Sequence, residues 1–375
     1  MDLIGSILTG LPVFIILLGP LMFIHELGHF LAAKRAGIRV EEFGMGFPPR
    51  ALLLFRRGGT DYTLNWLPIG AFVKMTGEED PTDLRSFAAQ PKRWRLITLA
   101  AGPIMNFIGG FVILTLAYSL FFTQPTEYTY RVMSTNPGGP AEQLGLQPGD
   151  TFISVNGVNM TQKLDLQSHT QPQVNALRDQ SAQSIGKGIM VVVDRVSDGK
   201  HQTVTLTGTL PPNANHAAPL GVRLSLPVTK SEHVPIGLPD SMGLATNDIS
   251  TALENIVRAP IDLIQQHVPL SQARPVGVIG ITTIGVALIE ERDIQGLFPF
   301  VRFAGFLSII LGITNLLPIP ALDGGRILFI VIEALRGKRI DPRREQWVHA
   351  VGMMILIGLS AVIVVLDIVQ PVAIR

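Results

Sequence analysis

His25 and His29 stand four residues apart with Glu26 between them, in the run His25-Glu26-Leu27-Gly28-His29. On a helix that spacing puts both imidazoles on one face, one turn apart, where they can hold one zinc ion. Glu26 is placed to reach a water on that ion. Zinc lowers the pKa of such a water to about 7, so a neighbouring carboxylate can take its proton during attack and pass it to the leaving amine. Composition alone predicts about 0.006 occurrences of His-Glu-x-x-His in a chain like this one. The run also abuts an apolar stretch, where ionisable side chains are costly and usually functional. Chance is therefore a poor explanation.

Two histidines are too few, because catalytic zinc usually takes three protein ligands and keeps one open position. The 375-residue chain has no cysteine, so thiolate ligands and disulfides are excluded and the third ligand must be His, Asp or Glu. The segment Asn315-Leu-Leu-Pro-Ile-Pro-Ala-Leu-Asp323-Gly-Gly-Arg326 ends a long uncharged stretch on Asp323. Pro318 and Pro320 must interrupt a helix there, and Gly324 and Gly325 let another backbone come close. Broken helices at membrane depth are tolerated where they line an enclosed, wet cavity, and a carboxylate there suits zinc. The plainer role for Asp323 is to cap the helix after the break. His349 is a competing candidate ligand that ranks below Asp323. His169, His201, His216, His233 and His267 show no ligand-like spacing.

The elements that must carry these residues are apolar. Hydrophobic residues make up 47% of the chain and charged residues 16%. Charge-free runs at 3–24, within 96–126, at 303–322 and at 348–366 reach the length of a bilayer span. A shorter run at 275–289 reads as an interfacial or re-entrant piece, or as ordinary core. The first run is read as a retained span rather than a signal peptide, since Asp2 is the only charge before it. Lys and Arg crowd the segment between the first two spans and the one between the last two, from Lys34 to Arg95 and from Arg326 to Arg344. Both segments are expected on the cytoplasmic side. Both termini and the long segment 127–298 then lie outside, in a multi-pass protein of the cell's inner (plasma) membrane. A net charge of +1 gives no pull toward nucleic acid.

Between the spans, 51–55 and 62–75 are rich in β-formers around the turn Arg56-Arg57-Gly58-Gly59, which predicts a hairpin near the cytoplasmic surface. Residues 78–95 read as a polar linker. Residues 128–226 read as a separate soluble domain, with short β-type runs at 130–133, 151–155, 189–195 and 203–206. The stretch from Asn136-Pro-Gly-Gly-Pro to Gln147-Pro-Gly-Asp150, followed by Thr151-Phe-Ile-Ser-Val-Asn-Gly157, resembles a PDZ domain of bacterial proteases. Such a fold takes an extended peptide onto a sheet edge. Residues 250–268 have the apolar spacing of an amphipathic helix.

Taken together, the chain resembles the site-2 protease family of intramembrane metalloproteases, in its bacterial PDZ-containing branch. The resemblance is carried by His25-Glu26-x-x-His29, by Glu42-Phe-Gly-Met-Gly-Phe47, by Ala101-Gly-Pro-Ile-Met-Asn106, by the PDZ-like segment and by Asn315-x-x-Pro-x-Pro-x-Leu-Asp-Gly-Gly325. It implies that His25, His29 and Asp323 bind Zn2+ and that Glu26 is the catalytic base. It also implies that Asn315 serves substrate or oxyanion, although its plainer role is to satisfy backbone freed by the proline break. The hairpin would meet an extended substrate strand. Two departures stand out. Only one PDZ-like unit is found where the best-known member has two, and Arg274 precedes Pro275-Val-Gly277 where a small residue is usual.

The expected fold is a polytopic α-helical membrane protein of about four transmembrane helices, with a small cytoplasmic-side β-hairpin and one inserted PDZ-like extracytoplasmic domain. Its parts are the N-terminal peptidase core 1–126, the PDZ-like domain 127–228, a connector with an amphipathic helix 229–298, and the C-terminal peptidase core 299–375. The expected activity is zinc metalloendopeptidase cleavage within transmembrane segments, on anti-sigma factors or remnant signal peptides. Expected partners are single-span membrane proteins, the lipid bilayer, and peptide ends at the PDZ-like domain. The rival readings are a membrane-tethered PDZ adaptor with a degenerate zinc site, which an intact Glu26 argues against, and a metal transporter, which the inserted domain fits poorly.

Overall fold

In the computed structural model, residues 3–78, 80–163, 175–197, 200–264 and 276–370 are described. His169, His267, Arg274 and Pro275 lie outside them, as do 265–268 of the expected amphipathic helix. The first apolar run folds as α1 (Leu3–Arg35), which continues well past it, so the His25–His29 turn is helix interior rather than helix end. Lys34 and Arg35 close its last turn, where cations complement the helix dipole. Next come β1 (Val40–Arg57) and β2 (Thr60–Met75), an antiparallel pair turning at Gly58 and Gly59, both at positive φ. The first strand begins earlier than the expected 51–55. Gly44, Gly46 and the Pro48-Pro49 pair read as breakers, yet the pairing absorbs them as register shifts, with Gly46 at φ 77°.

α2 (Lys92–Leu116) widens at its end into one π-helical turn, Ala117–Phe121. There follow β3 (Thr123–Tyr128), β4 (Arg131–Thr135), α3 (Pro140–Gln143), β5 (Thr151–Val155), β6 (Val158–Asn159) and β7 (Gln162–Lys163). Then come α4 (Asn175–Ala182), β8 (Gly188–Ser197), β9 (Lys200–Thr209), β10 (Val222–Ser225) and β11 (Val228–His233). The chain ends with α5 (Leu238–Ile264), α6 (Val278–Glu290), α7 (Arg292–Gln295), α8 (Phe298–Leu316), α9 (Asp323–Arg336) and α10 (Pro342–Val369).

Two compact units divide these elements: Met1–Phe121 with Pro235–Glu290 and Leu297–Arg375, and Phe122–Val234 with Glu291–Gly296. In the first, Gly10–Arg35, Lys92–Phe121, Phe298–Leu316 and Pro342–Val369 are long and apolar enough to cross a membrane. Small residues let these helices touch. A methyl at Gly110 would press on Ile309 and one at Gly305 on Leu114, so α2 and α8 meet almost backbone to backbone. An apolar cluster joins α1, the hairpin, α2 and α9 through Phe30, Ala33, Val40, Phe43, Met75, Leu99 and Ile330. Phe43 of β1 packs at a tilt against Phe23 and Phe30 of α1, with ring centroids 5.3 and 5.0 Å away, and this seats the hairpin on the helix that carries the histidines. The far end of the hairpin exposes Leu52, Phe55, Trp66 and Leu67.

α8 stops at Leu316, as the two prolines require, and α9 restarts at Asp323. Gly324 and Gly325 lie under that break. A side chain on Gly324 would collide with the carbonyls of Leu316 and Leu317, and one on Gly325 with that of Ile319. The break is thus folded tightly over the first turn of α9, and Asp323 is held at the helix N-terminus.

The second unit is built on a sheet ordered β10-β4-β5-β8-β9, with β6 paired to β5, and a smaller sheet ordered β11-β3-β7. Its core contains Tyr130, Val132, Phe152, Val155, Met160, Val191 and Val193. The alternating buried positions of β8 supply the inward face. Asp150, buried at the end of the Gln147-Pro-Gly turn, receives Arg195 through two bonds of 2.7 and 2.8 Å.

Candidate metal centre

α1 presents His25 and His29 from successive turns of one face, and the loop after α8 delivers Asp323 to them across the first unit. His25 Nε2 and His29 Nε2 are 3.1 Å apart. Asp323 Oδ2 lies 3.1 Å from the first and 3.2 Å from the second. These three side chains are the one group of metal-ligand type that converges in this way among the described residues. Bonds of about 2.0–2.1 Å from zinc to nitrogen or oxygen put tetrahedral ligands about 3.3–3.4 Å apart. The observed triangle therefore has nearly the edge length that a tetrahedral ion needs, and all three side chains are at least four-fifths shielded from solvent.

The surroundings prepare the two imidazoles. His29 Nδ1–H donates to the carbonyl of Thr98 at 2.7 Å, which leaves the lone pair on Nε2 facing Asp323. The side-chain amide of Asn106 lies 3.1 Å from His25 Nδ1. With Nε2 given to a metal, that Nδ1 carries the proton and calls for an acceptor, and the amide oxygen of Asn106, buried and otherwise without a partner, supplies one when the amide is turned over. Asn106 is itself tied down, since its carbonyl accepts the Ser308 hydroxyl at 2.8 Å. Room for the rings comes from Gly102, where a methyl would overlap His29 Nε2 and stand 2.8 Å from His25 Nε2. Gly28 of α1 lies against the carbonyl of Ala101, closing α1 onto α2 at the same level.

Glu26 shares this enclosure. Its carboxylate is near enough to interact electrostatically with both histidines, with Asp323 and with the backbone of Val73 in β2, which puts the hairpin beside the centre. Asn315 is placed differently. Its Nδ2 donates to the Leu311 carbonyl one turn back at 3.0 Å, and it does not bond His25, His29 or Asp323. His349 does not join the converging group either. Its Nδ1 accepts from the backbone N–H of Ala321, two residues before Asp323.

Thr98, Gly102 and Asn106 are not among the site residues expected from the sequence, although Gly102 and Asn106 both fall within the motif Ala101-Gly-Pro-Ile-Met-Asn106. Their signal was present: they recur every four residues along α2, so two small or polar positions and one amide share the face turned to α1.

The profile of peptidase family M50 matches residues 13–359, a range that contains every residue of this centre. The chain belongs to peptidase family M50. This is the site-2 protease family, and its members are zinc metalloproteases. A protein of Clostridium perfringens named for zinc metalloproteases is 32% identical over 94% of this chain and 96% of its own length. The regulator of sigma-W protease RasP of Bacillus subtilis is 29% identical, covering 93% of this chain and 96% of RasP. A protein of Nostoc sp. with the same kind of name is 30% identical over 97% of this chain and 96% of its own length. The M50 chain is accordingly a membrane protein with the metal and the protease class of its family, and the candidate donor set of two imidazoles and one carboxylate is of the kind that zinc takes at catalytic sites.

Proposed function

We propose that this M50 protein is an intramembrane zinc endopeptidase that hydrolyses peptide bonds within the transmembrane segments of single-span membrane proteins. The observation that carries the proposal is the triangle of His25 Nε2, His29 Nε2 and Asp323 Oδ2, with the histidines on a helix of bilayer length and Asp323 just past the end of another, and with Glu26 next to His25 in the chain. His25, His29 and Asp323 would hold the ion. When bound there, zinc makes water nucleophilic near neutral pH and polarises the scissile carbonyl. Glu26 takes the proton of the attacking water and delivers it to the leaving amine. Thr98 and Asn106 keep the imidazoles in the ring orientation and tautomer that the site needs. An extended stretch of substrate lies along the hairpin wall near Val73, because a helical segment exposes no carbonyl to attack. In this reading Asn315 exchanges its bond to Leu311 for one to substrate or oxyanion as the break loosens.

The topology belongs to the same reading. Both termini and the inserted unit are extracytoplasmic, and the centre lies toward the cytoplasmic side, following the Lys and Arg of the intervening loops. The inserted unit acts as a PDZ-like domain. β10 is an edge strand of its sheet, and a cavity of about 340 Å³ runs beside it, lined by Leu177 and Ser181 of α4 and by Leu220, Val222 and Leu224. A peptide end could add to that edge. The domain then restricts access by untrimmed proteins.

The test is to reconstitute the purified protein in vesicles with a single-span protein and map the cut by mass spectrometry. Fragments ending inside the membrane segment are expected. Cleavage only at extramembrane bonds, or none with zinc bound, would overturn the proposal.

A further inference from the structure

The helix α10 gives no group to the metal triangle, yet it grips the loop that delivers Asp323. Pro318 and Pro320 have no N–H to offer. The N–H of Ile319 closes on the Leu317 carbonyl at 2.7 Å, and that of Leu322 on Ile319 at 3.2 Å. The N–H of Ala321 instead leaves the loop and donates to His349 Nδ1 at 2.8 Å. Ala321 sits at φ 79°, in the left-handed region that a residue with a Cβ seldom adopts, and Asn156 is the other non-glycine residue there among those described. Such a conformation persists where the surroundings enforce it. Here they are visible. Gly352, one turn beyond His349 on the same face, lies so close that a methyl would overlap Pro320 Cβ and stand 2.9 Å from the Pro320 carbonyl. Phe329 of α9 packs on the His349 ring with centroids 5.4 Å apart. With Nδ1 accepting, the neutral ring keeps its proton on Nε2, which is buried and has no hydrogen-bond partner among the described residues, and His349 lines a small polar cavity of about 70 Å³ together with Glu78, Arg326 and Glu345 among others.

We infer that His349 is a positioning residue for Asp323: by holding Ala321 N–H, the last span fixes the loop in the one backbone shape that turns the Asp323 carboxylate toward His25 and His29. Gly352 is the second half of the clamp, the bare surface on which Pro320 rests. The inference rests on the proposed ligand set, and it assigns His349 a role at the site without making it a ligand.

The test uses the full-length protein in detergent, loaded with zinc and titrated with a chelator, with zinc retention as the readout and a thermal melt run alongside. Loss of an outer partner of a metal site typically costs ten- to a hundred-fold in metal affinity. His349→Ala is expected to release zinc at about tenfold lower chelator strength. His349→Asn, whose amide oxygen can still accept from Ala321, is expected to retain most of the wild-type affinity. Ala321→Gly in the His349→Ala background should recover part of the loss, because glycine takes the left-handed conformation without help. Gly352→Ala should weaken zinc with His349 intact, which keeps the inference testable if His349→Ala folds poorly. Wild-type zinc retention in both His349→Ala and Gly352→Ala would overturn it. Asp323→Ala separates the two levels: if it keeps zinc, the ligand set is wrong, and if it loses zinc while His349→Ala does not, the clamp alone fails.

Discussion

Arg95 of α2 donates to Glu333 of α9 at 2.9 Å, and both side chains are buried, at 8% and 2% exposure. Glu333 also accepts the N–H of Ile340, and its carbonyl receives Lys92. α2 carries Thr98, Gly102 and Asn106 behind the imidazoles, and α9 begins at Asp323. The pair therefore fixes the helix of the third candidate ligand against the helix that orients the other two. Removing one partner leaves a buried charge, so Arg95→Ala should lower the unfolding free energy by about 3–5 kcal/mol. Arg95→Met with Glu333→Leu should cost less than either single loss. Thermal melts of Arg95→Ala, Glu333→Leu and the double variant check this, and additive costs would count against it.

Gly102 gives a sharper probe of the centre. Its missing side chain is the space in which His25 and His29 turn toward Asp323. Gly102→Ala should cut zinc content about tenfold or more while leaving helix content near wild type, since alanine is the better helix former. Zinc analysis and circular dichroism on the same sample decide the matter.

How far these features were legible depends on their chemistry. His25, Glu26 and His29 announce themselves by spacing alone, and Asp323 by standing after two prolines in an uncharged stretch. The four spans follow from length and hydropathy. The start of β1 at Val40 is hidden in the sequence, because glycines and prolines that usually end strands are absorbed there by irregular pairing, residues 42–45 meeting both 61–64 and 71–74 of β2. α5 starts at Leu238, well before the expected 250, since Pro239 at a first turn favours helix rather than ending it. The bonds of Thr98 and His349 run through backbone groups, which no residue type reveals. Asn106 was in view within a motif, but its partner lies 81 positions away in the chain.

The end of α2, the start of α8 and α5 hold a third testable cluster. Asp248 of α5 accepts Tyr118 from the π-helical turn at 2.8 Å, and Arg302 of α8 through two bonds of 2.8 Å. Arg302→Leu leaves Asp248 with the tyrosine alone. It should destabilise by about 1–3 kcal/mol and raise hydrogen exchange in α5 more than in α1. Uniform exchange along the chain would show that the cluster does not hold α5.

Metal removal should be reversible and selective. Two imidazoles and one carboxylate suit zinc rather than magnesium. Dialysis against a strong chelator should abolish cleavage, and zinc should restore it where magnesium does not. Restoration by magnesium would contradict the assignment of the centre.

The most direct measurement is cleavage of a reconstituted single-span protein by Glu26→Gln with its zinc content verified. Glutamine keeps the size of Glu26 but cannot take a proton from water. The account predicts bound zinc equal to wild type and a rate lower by at least about a hundredfold, the scale of a lost general base. Cleavage near the wild-type rate with zinc in place would contradict it.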